Sequence, residues 1–350
     1  MIPTQPTAMV DLFAGPGGLD VAARWLGVEV DGVEWDADAC ATRRAAGLGT
    51  WQNDVRDLGP ADFPRATVLA GGPPCQTYTV AGGGAGRRAL DQVLRFVKRM
   101  AAGDDVGPSL AGLDDERTGL VLQPLRWALE AIELGRPYEA IVLEQVPAVL
   151  PVWHAVGEAL EGAGYRTVSG ILHTEEFGVP QTRRRAILIA RRTGTPTLPT
   201  PTHSRYRKGA LPIAADPLRP WETMASALRR TDPFVVISNY GSGGDPKARG
   251  RRTSAEPSAT VTGKISRNRL TTPEGRELPR FTLSEAGALQ TFPHDYPWSG
   301  HQVSQQIGNA IPPRLAAHVL ATALNRPLDT AALDQAVRTS WVDSRALLAT

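Results

Sequence analysis

Cysteine is almost missing from this chain. Two residues in 350, Cys40 and Cys75, exclude a disulfide scaffold and any Cys-rich zinc module, and no metal site is expected. No apolar run approaches the roughly 20 residues that a membrane helix needs. The stretch Met1 to Met9 has neither the basic start nor the apolar core of a signal peptide. The expected setting is therefore a reducing cytoplasm, with no membrane association. Lysine is scarce too, supplying only four of the 38 basic residues. What is present is ordinary for a globular protein: 42% hydrophobic and 21% charged residues. The length suits one large and one small domain.

The net charge of +2 conceals an uneven distribution. From Arg183 to Arg280 there are 20 Lys+Arg against 7 Asp+Glu, a balance of +13, while the remainder carries 18 against 29, a balance of −11. An acidic body with a strongly basic segment suggests a polyanion partner, most simply nucleic acid. A solvated arginine-rich surface is the alternative.

The first half alternates strands with helices. Ala8–Phe13 is a short β run that ends in the turn Gly15-Pro16-Gly17-Gly18, and Leu19–Leu26 is helical. Val28–Trp35 has the two-residue strand period, and Asp36–Ala46 reads as a helix. Buried strands follow at Thr67–Ala70 and Ala140–Leu143, with further strands at Arg166–His173 and Ala186–Ala190. Helices are expected at Gly119–Leu134, Val152–Glu161, Leu283–Thr291 and Pro313–Leu324. Repeated β-α units predict an α/β fold, a doubly wound and mostly parallel sheet covered by helices. Val80–Asp114, with a short basic helix inside it, reads as a long functional loop. Thr193–Gly275 is rich in Pro, Gly and Arg. The expected organisation is thus a catalytic domain over 1–192 and 276–328, a smaller domain over 193–275, and a peripheral C-terminal helix over 329–350.

Several strand ends carry groups suited to a nucleoside. Glycines at 15, 17 and 18 let a ligand approach a helix N-terminus closely. Glu34 closes the next strand, where an acid can bind ribose hydroxyls, and Trp35 beside it can stack on an adenine. Asp54 follows the third β unit, within reach of an adenine amino group. Position 20 is Asp rather than Gly, which disfavours a dinucleotide and favours a ligand without pyrophosphate, such as S-adenosylmethionine.

Cys75 follows a buried strand in Gly71-Gly72-Pro73-Pro74-Cys75-Gln76-Thr77-Tyr78-Thr79. Strand C-termini are where α/β sites form, and the two prolines present the thiol rigidly. An inert core thiol suits Cys40, which lies mid-helix between alanines, better than it suits Cys75. Glu144 closes the apolar run Ile141-Val142-Leu143. Desolvation there raises a carboxyl's pKa and suits it to donate a proton.

Taken together, the chain resembles the DNA (cytosine-5)-methyltransferase family of prokaryotic type. Asp11 through Gly18 resembles that family's cofactor loop, Glu34-Trp35-Asp36 its ribose and adenine contact, and Pro74-Cys75-Gln76 its nucleophile motif. Asp115-x-Arg117-x-x-Leu120 matches a helix start, and Gln181-Thr182-Arg183-Arg184-Arg185 the Gln-x-Arg-x-Arg block. Arg280 through Pro293 and Gln306 through Pro313 match the last two blocks. The resemblance implies S-adenosylmethionine as cofactor and a double-stranded DNA partner. It implies methylation of a flipped-out cytosine at C5 through a covalent Cys75–C6 adduct.

In that scheme Cys75, Glu144, Arg183 and Arg185 are catalytic. Phe13, Gly15, Gly17, Gly18, Glu34, Trp35, Asp54, Pro74, Leu120, Asn309 and Ala310 hold the cofactor. Gln76, Thr79, Gln181 and Thr260 meet DNA, and the basic segment is the target recognition domain. A monomer is expected, associated with the nucleoid through DNA, with a cognate restriction endonuclease acting separately. One departure stands out: Gln145 occupies the place of the family's Asn, from which an altered rate or loop position is expected rather than loss of activity. Two alternatives remain open, a tRNA cytosine-5 methyltransferase and a catalytically silent DNA-binding relative. An NAD-dependent oxidoreductase is disfavoured by the cofactor loop.

Overall fold

The computed structural model describes residues 7–74, 85–111, 117–209, 217–228, 230–239 and 250–344. Seven strands form the main sheet: β1 (Ala8–Leu12), β2 (Glu29–Glu34), β3 (Gly49–Gln52), β4 (Val68–Gly71), β5 (Ala140–Gln145), β6 (Arg166–His173) and β7 (Arg184–Arg191). Their order is β3-β2-β1-β4-β5-β7-β6. Strands β1 to β5 pair in parallel, and β7 runs antiparallel to both its neighbours. The expected doubly wound, mostly parallel sheet is therefore what forms.

Alternation along the strands feeds two cores. Met9, Val68, Ala70 and Val142 point into one, Val10, Leu12, Leu69 and Leu143 into the other. The first is covered by α1 (Gly18–Trp25) and α11 (Pro313–Ala323). The second is covered by α3 (Ala85–Ala101), α6 (Gln123–Glu133) and α7 (Leu150–Gly162). Between β1 and β4 the winding direction reverses, and ligands of such sheets bind in the crevice outside the strand ends at that point.

Two helices differ from expectation. The basic helix inside 80–114 is not short: α3 spans 17 residues. The single helix expected over Gly119–Leu134 is split into α5 (Arg117–Leu120) and α6. Pro124 lies in the first turn of α6. A proline lacks the amide that would continue the earlier helix but is well placed to start a new one.

The Pro-, Gly- and Arg-rich segment 193–275 contributes three strands of a second sheet, ordered β11-β10-β8-β9: β8 (Val235–Ile237), β9 (Arg251–Thr253) and β10 (Arg269–Thr271); the fourth, β11 (Glu277–Leu278), lies just beyond it. Its core includes Val236, Val261 and Leu270 together with Ala286 and Leu289 of α9 (Leu283–Leu289) and Val303 and Ile307 of α10 (Val303–Asn309). The small sheet therefore shares its core with α9 and α10. Near the C-terminus, α12 (Thr330–Arg338) is capped by Asp329 and buries Leu333 and Ala336. No helix among the described residues is long and apolar enough to cross a membrane.

Candidate active site

The chain leaves β1 through an unusual turn. Phe13, Gly15 and Gly17 have φ of 59°, 55° and 101°. For Phe13 this left-handed conformation is costly and persists only because its surroundings hold it. The turn exposes the Gly15 amide, which donates to Glu34 Oε2 at 2.7 Å; the Asp36 amide donates to Oε1 at 2.7 Å. Burial pushes the Glu34 carboxyl up, and these two amides work against that shift. Trp35, the next residue, is 72% exposed.

Glu34 and Trp35 border a cavity of about 750 Å³ at the strand ends. Phe13, Gly15, Gly18, Asp54, Pro74, Leu120, Asn309 and Ala310 also line it. A Cβ on Gly18 would lie 2.3 Å from Ile311 O, so only glycine lets the 309–311 segment close against the turn. Gly17 is not part of the lining; its missing Cβ instead makes room for Leu48 and the Tyr296 hydroxyl. Asp54 is partly buried, which would raise its pKa, but hydrogen bonds from Arg56 hold the carboxyl below its ordinary value.

The other end of the same cavity carries Glu144 and Arg185. Glu144 pairs with Ile187 across β5 and β7, and Arg185 lies two residues before Ile187 on the same face. Diagonal neighbours of this kind are within reach of long side chains. The Arg185 Nε and Glu144 Oε1 form a close ion pair. Its N–H is not aligned for a hydrogen bond, and Oε1 has no such partner. Burial raises the Glu144 carboxyl and the Arg185 charge draws it partly back, leaving it above the ordinary carboxylate range. Next in the chain, Gln145 donates from Nε2 to Pro73 O and accepts from the Val146 amide at 2.5 Å. The longer arm thus reaches the turn that leads into Cys75.

Cys75, Gln76, Thr79, the glycines at 82–84 and Asp115 lie outside the described residues. Arg183, expected to be catalytic, and Gln181 and Thr260, expected to meet DNA, are not among the residues that line the cavity. Arg183 is 2% exposed and donates to Val261 O at 2.9 Å and Gly308 O at 2.8 Å. Gln181 is fully buried, accepts from the Val261 amide at 2.7 Å and donates to Gln290 Oε1 at 2.7 Å. Thr260 donates from its hydroxyl to Thr182 O at 2.8 Å. All three stitch the 258–262 turn to the strand entering β7.

The profile of the C-5 cytosine-specific DNA methylase family matches residues 7–99, 109–216 and 217–325. The chain belongs to that family. Its enzyme class, DNA (cytosine-5-)-methyltransferase, is the one expected from the sequence. Among curated relatives, Type II methyltransferase M1.HphI of Haemophilus parahaemolyticus is 27% identical over 354 residues, covering 90% of this chain and 86% of that protein. Type II methyltransferase M.NgoPII of Neisseria gonorrhoeae is 25% identical over 368 residues, covering 93% and 97%. The fold is similar to that of the Entamoeba histolytica methyltransferase EhMeth, with a TM-score of 0.61, 14% identity, and coverage of 92% of this chain and 99% of that one. It is also similar to the S. pombe Dnmt2 methyltransferase, with a TM-score of 0.60, 16% identity, and coverage of 91% and 98%.

Two buried charged residues at or behind the site, Asp11 and Arg43, carry no individual role in the sequence reading. Asp11 lines the cavity, is 1% exposed, and has no hydrogen-bond partner on either carboxyl oxygen. Burial and the neighbouring Asp20 hold it well above the ordinary range. Arg43 is fully buried on α2 (Ala37–Ala45). Its signal was its place four residues after Ala39 on the apolar face of that helix.

Proposed function

We propose that the chain transfers a methyl group from S-adenosylmethionine to C5 of a cytosine flipped out of duplex DNA. The observation that carries this reading is the shared cavity, with the glycine turn and Glu34-Trp35 at one end and Glu144 and Arg185 at the other. Its volume of about 750 Å³ lies within the roughly 300–1,000 Å³ of small-molecule sites. The residues fit the cofactor. Gly15 faces open space, since a Cβ there would meet nothing within 4 Å. Glu34 would take the ribose hydroxyls, Trp35 an adenine face, and Asp54 the adenine amino group after yielding Arg56. Phe13, Gly18, Pro74, Leu120, Asn309 and Ala310 would enclose the rest. When bound, S-adenosylmethionine supplies an electrophilic methyl group.

The chain's own residues must make cytosine C5 able to accept that methyl. C5 is a weak nucleophile until a group adds at C6. In this reading the Cys75 thiolate forms the C6–S bond. The ring electrons move toward N3, where Glu144 supplies a proton, and C5 becomes enamine-like. Arg185 steadies Glu144 and reaches O2 of the base. After methylation the C5 proton leaves to a base, the N3 proton returns to Glu144, the C5–C6 double bond re-forms, and Cys75 departs as thiolate. The target must first leave the helix, at a cost of a few kcal/mol. The basic segment would grip the DNA backbone as the base turns out. Arg183, Gln181 and Thr260 would serve by holding the 258–262 turn.

The test is transfer of a labelled methyl group to mixed-sequence duplex DNA, followed by bisulfite sequencing. Label in C5 of cytosine supports the reading; label in tRNA alone, or none, overturns it. Trp35→Ala should weaken S-adenosylmethionine binding by about 1–3 kcal/mol, the range for base–aromatic stacking. Calorimetry checks it, and unchanged affinity would remove Trp35 from the adenine site. Gln145→Asn should slow methylation, because the shorter arm cannot satisfy both Pro73 O and the Val146 amide as Gln145 does. A buried group left unpaired costs about 1–3 kcal/mol. Single-turnover kinetics would measure the loss; an undiminished rate would mean that the turn adjusts to the shorter side chain.

A further inference from the structure

The glycine turn is held from behind by two buried side chains outside the cavity lining. Arg43 forms a paired contact with Asp20 in the first turn of α1, at 2.9 and 2.6 Å, and also donates to Gly49 O at 2.7 Å and Ala14 O at 3.4 Å. Both members of the ion pair are essentially unexposed. The guanidinium lies over the bare backbone of Gly32 on β2: a Cβ there would come within 1.8 Å of Arg43 Nη2. One cation thus joins the turn, α1 and β3 across a glycine that admits it. Tyr296 reaches the same turn independently. Its hydroxyl donates to Pro16 O at 2.5 Å, and the ring is fixed among Phe292, Trp298 and Trp341 at centroid distances of 4.8, 4.9 and 5.2 Å.

These contacts take hold of two carbonyls of the turn, Ala14 O and Pro16 O, on its inner side. Between them, the Gly15 amide faces Glu34 at the cavity. Phe13 is strained at its left-handed φ of 59° and relaxes unless its surroundings over-determine it, while Gly15 and Gly17 are free to take many other conformations, so the turn needs such restraint to keep one path. A buried ion pair gives up hydration for a fixed geometry, and here the geometry fixed is that of the cofactor turn. We propose that Arg43, through Asp20 and Ala14 O, and Tyr296, through Pro16 O, are positioning residues that preset the glycine turn for S-adenosylmethionine. This rests on the cofactor assignment above. The two residues act through the turn, so their loss should be read in cofactor binding and not in the methyl-transfer step.

Tyr296→Phe keeps the aromatic cluster and frees only Pro16 O. It should raise the S-adenosylmethionine Kd and KM about three- to tenfold, the span of one hydrogen bond, while kcat at saturating cofactor stays within about twofold. Arg43→Met alone would strand Asp20 as an unpaired buried charge and endanger folding. The double variant Arg43→Met/Asp20→Leu removes both charges, and should fold while binding the cofactor more weakly. Arg43→Lys keeps the charge but not the paired geometry, and should fall between wild type and the double variant. Calorimetry without DNA, steady-state kinetics and thermal melting are measured on each. Wild-type Kd in Tyr296→Phe and in a folded double variant would overturn the proposal. So would a fall in kcat matching the rise in Kd. A wild-type protein that binds no S-adenosylmethionine would overturn the cofactor assignment and this inference together, whereas unchanged variants with a binding wild type would overturn only the inference.

Discussion

A duplex carrying 5-fluorocytosine at the methylated position is expected to capture the enzyme as an adduct that survives denaturing electrophoresis and maps by peptide mass to Cys75. The proposed cycle ends with loss of a proton from C5, and fluorine cannot leave as a cation. The C6–S bond therefore persists after methyl transfer. Cys75→Ser should abolish trapping and lower methylation by roughly 10⁴-fold or more, as loss of a covalent nucleophile does elsewhere, because a serine hydroxyl is scarcely ionised at neutral pH. Cys40 is the internal control. It is fully buried, its Sγ donates to Glu34 O at 3.4 Å, and burial pushes its pKa up to about 11. Cys40→Ala should trap normally. An adduct on Cys40, or turnover by Cys75→Ser, would overturn the mechanism.

Glu144→Gln should cost about 10²–10⁴ in single-turnover rate, the usual value of a positioned general acid, with little change in cofactor affinity. Glutamine keeps the shape, but it has no acidic proton to give. The sign of the pH dependence follows from the raised carboxyl. Protonated Glu144 persists to higher pH than an exposed glutamate would, so the wild-type rate should fall as pH rises through that raised pKa. Glu144→Gln should lose this limb of the profile. A rate within threefold of wild type, or an unaltered profile, would take proton donation away from Glu144. Thermal melting separates this from instability caused by leaving Arg185 without its counter-charge.

The parts of the site that were legible in sequence sit where turn chemistry is dense. Gly15, Gly18, Glu34 and Trp35 follow strands with a clear period, so their place at strand ends could be read from spacing alone. Glu144 was legible because a carboxylate closing an apolar run is costly without a purpose. The four-stranded sheet was not, because strands of two or three residues are too short to display a period. Pro124 was overlooked inside an otherwise good helical pattern. Gln181, Arg183 and Thr260 illustrate a different limit. Their motifs were recognisable, but a motif does not say toward which side of the backbone a polar side chain turns, and here Gln181 and Arg183 turn inward while Thr260 bonds the main chain at Thr182. Arg43 was hidden for the opposite reason: one of two adjacent arginines in a helix looks like surface until its Asp20 partner, 23 residues away, is placed beside it.

The seam between the two sheets has a consequence for exchanging DNA specificity. Thr182 N donates to Ser258 O, Ser258 N to Pro180 O, and Arg183 and Gln181 hold the carbonyl and amide of Val261. A Cβ on Gly308 would lie 2.3 Å from Gly263 N and 2.4 Å from Thr262 C. Every one of these grips is on main chain, so the socket reads the path of the 258–263 backbone more than its side chains. A recognition segment transplanted from another protein would seat here if it reproduced that path, whatever bases its remaining side chains addressed. One that arrived with an insertion between 258 and 263 would take Val261 away from Arg183 and Gln181, leaving buried polar atoms unsatisfied, and the chimera should fail by misfolding before its specificity could be measured.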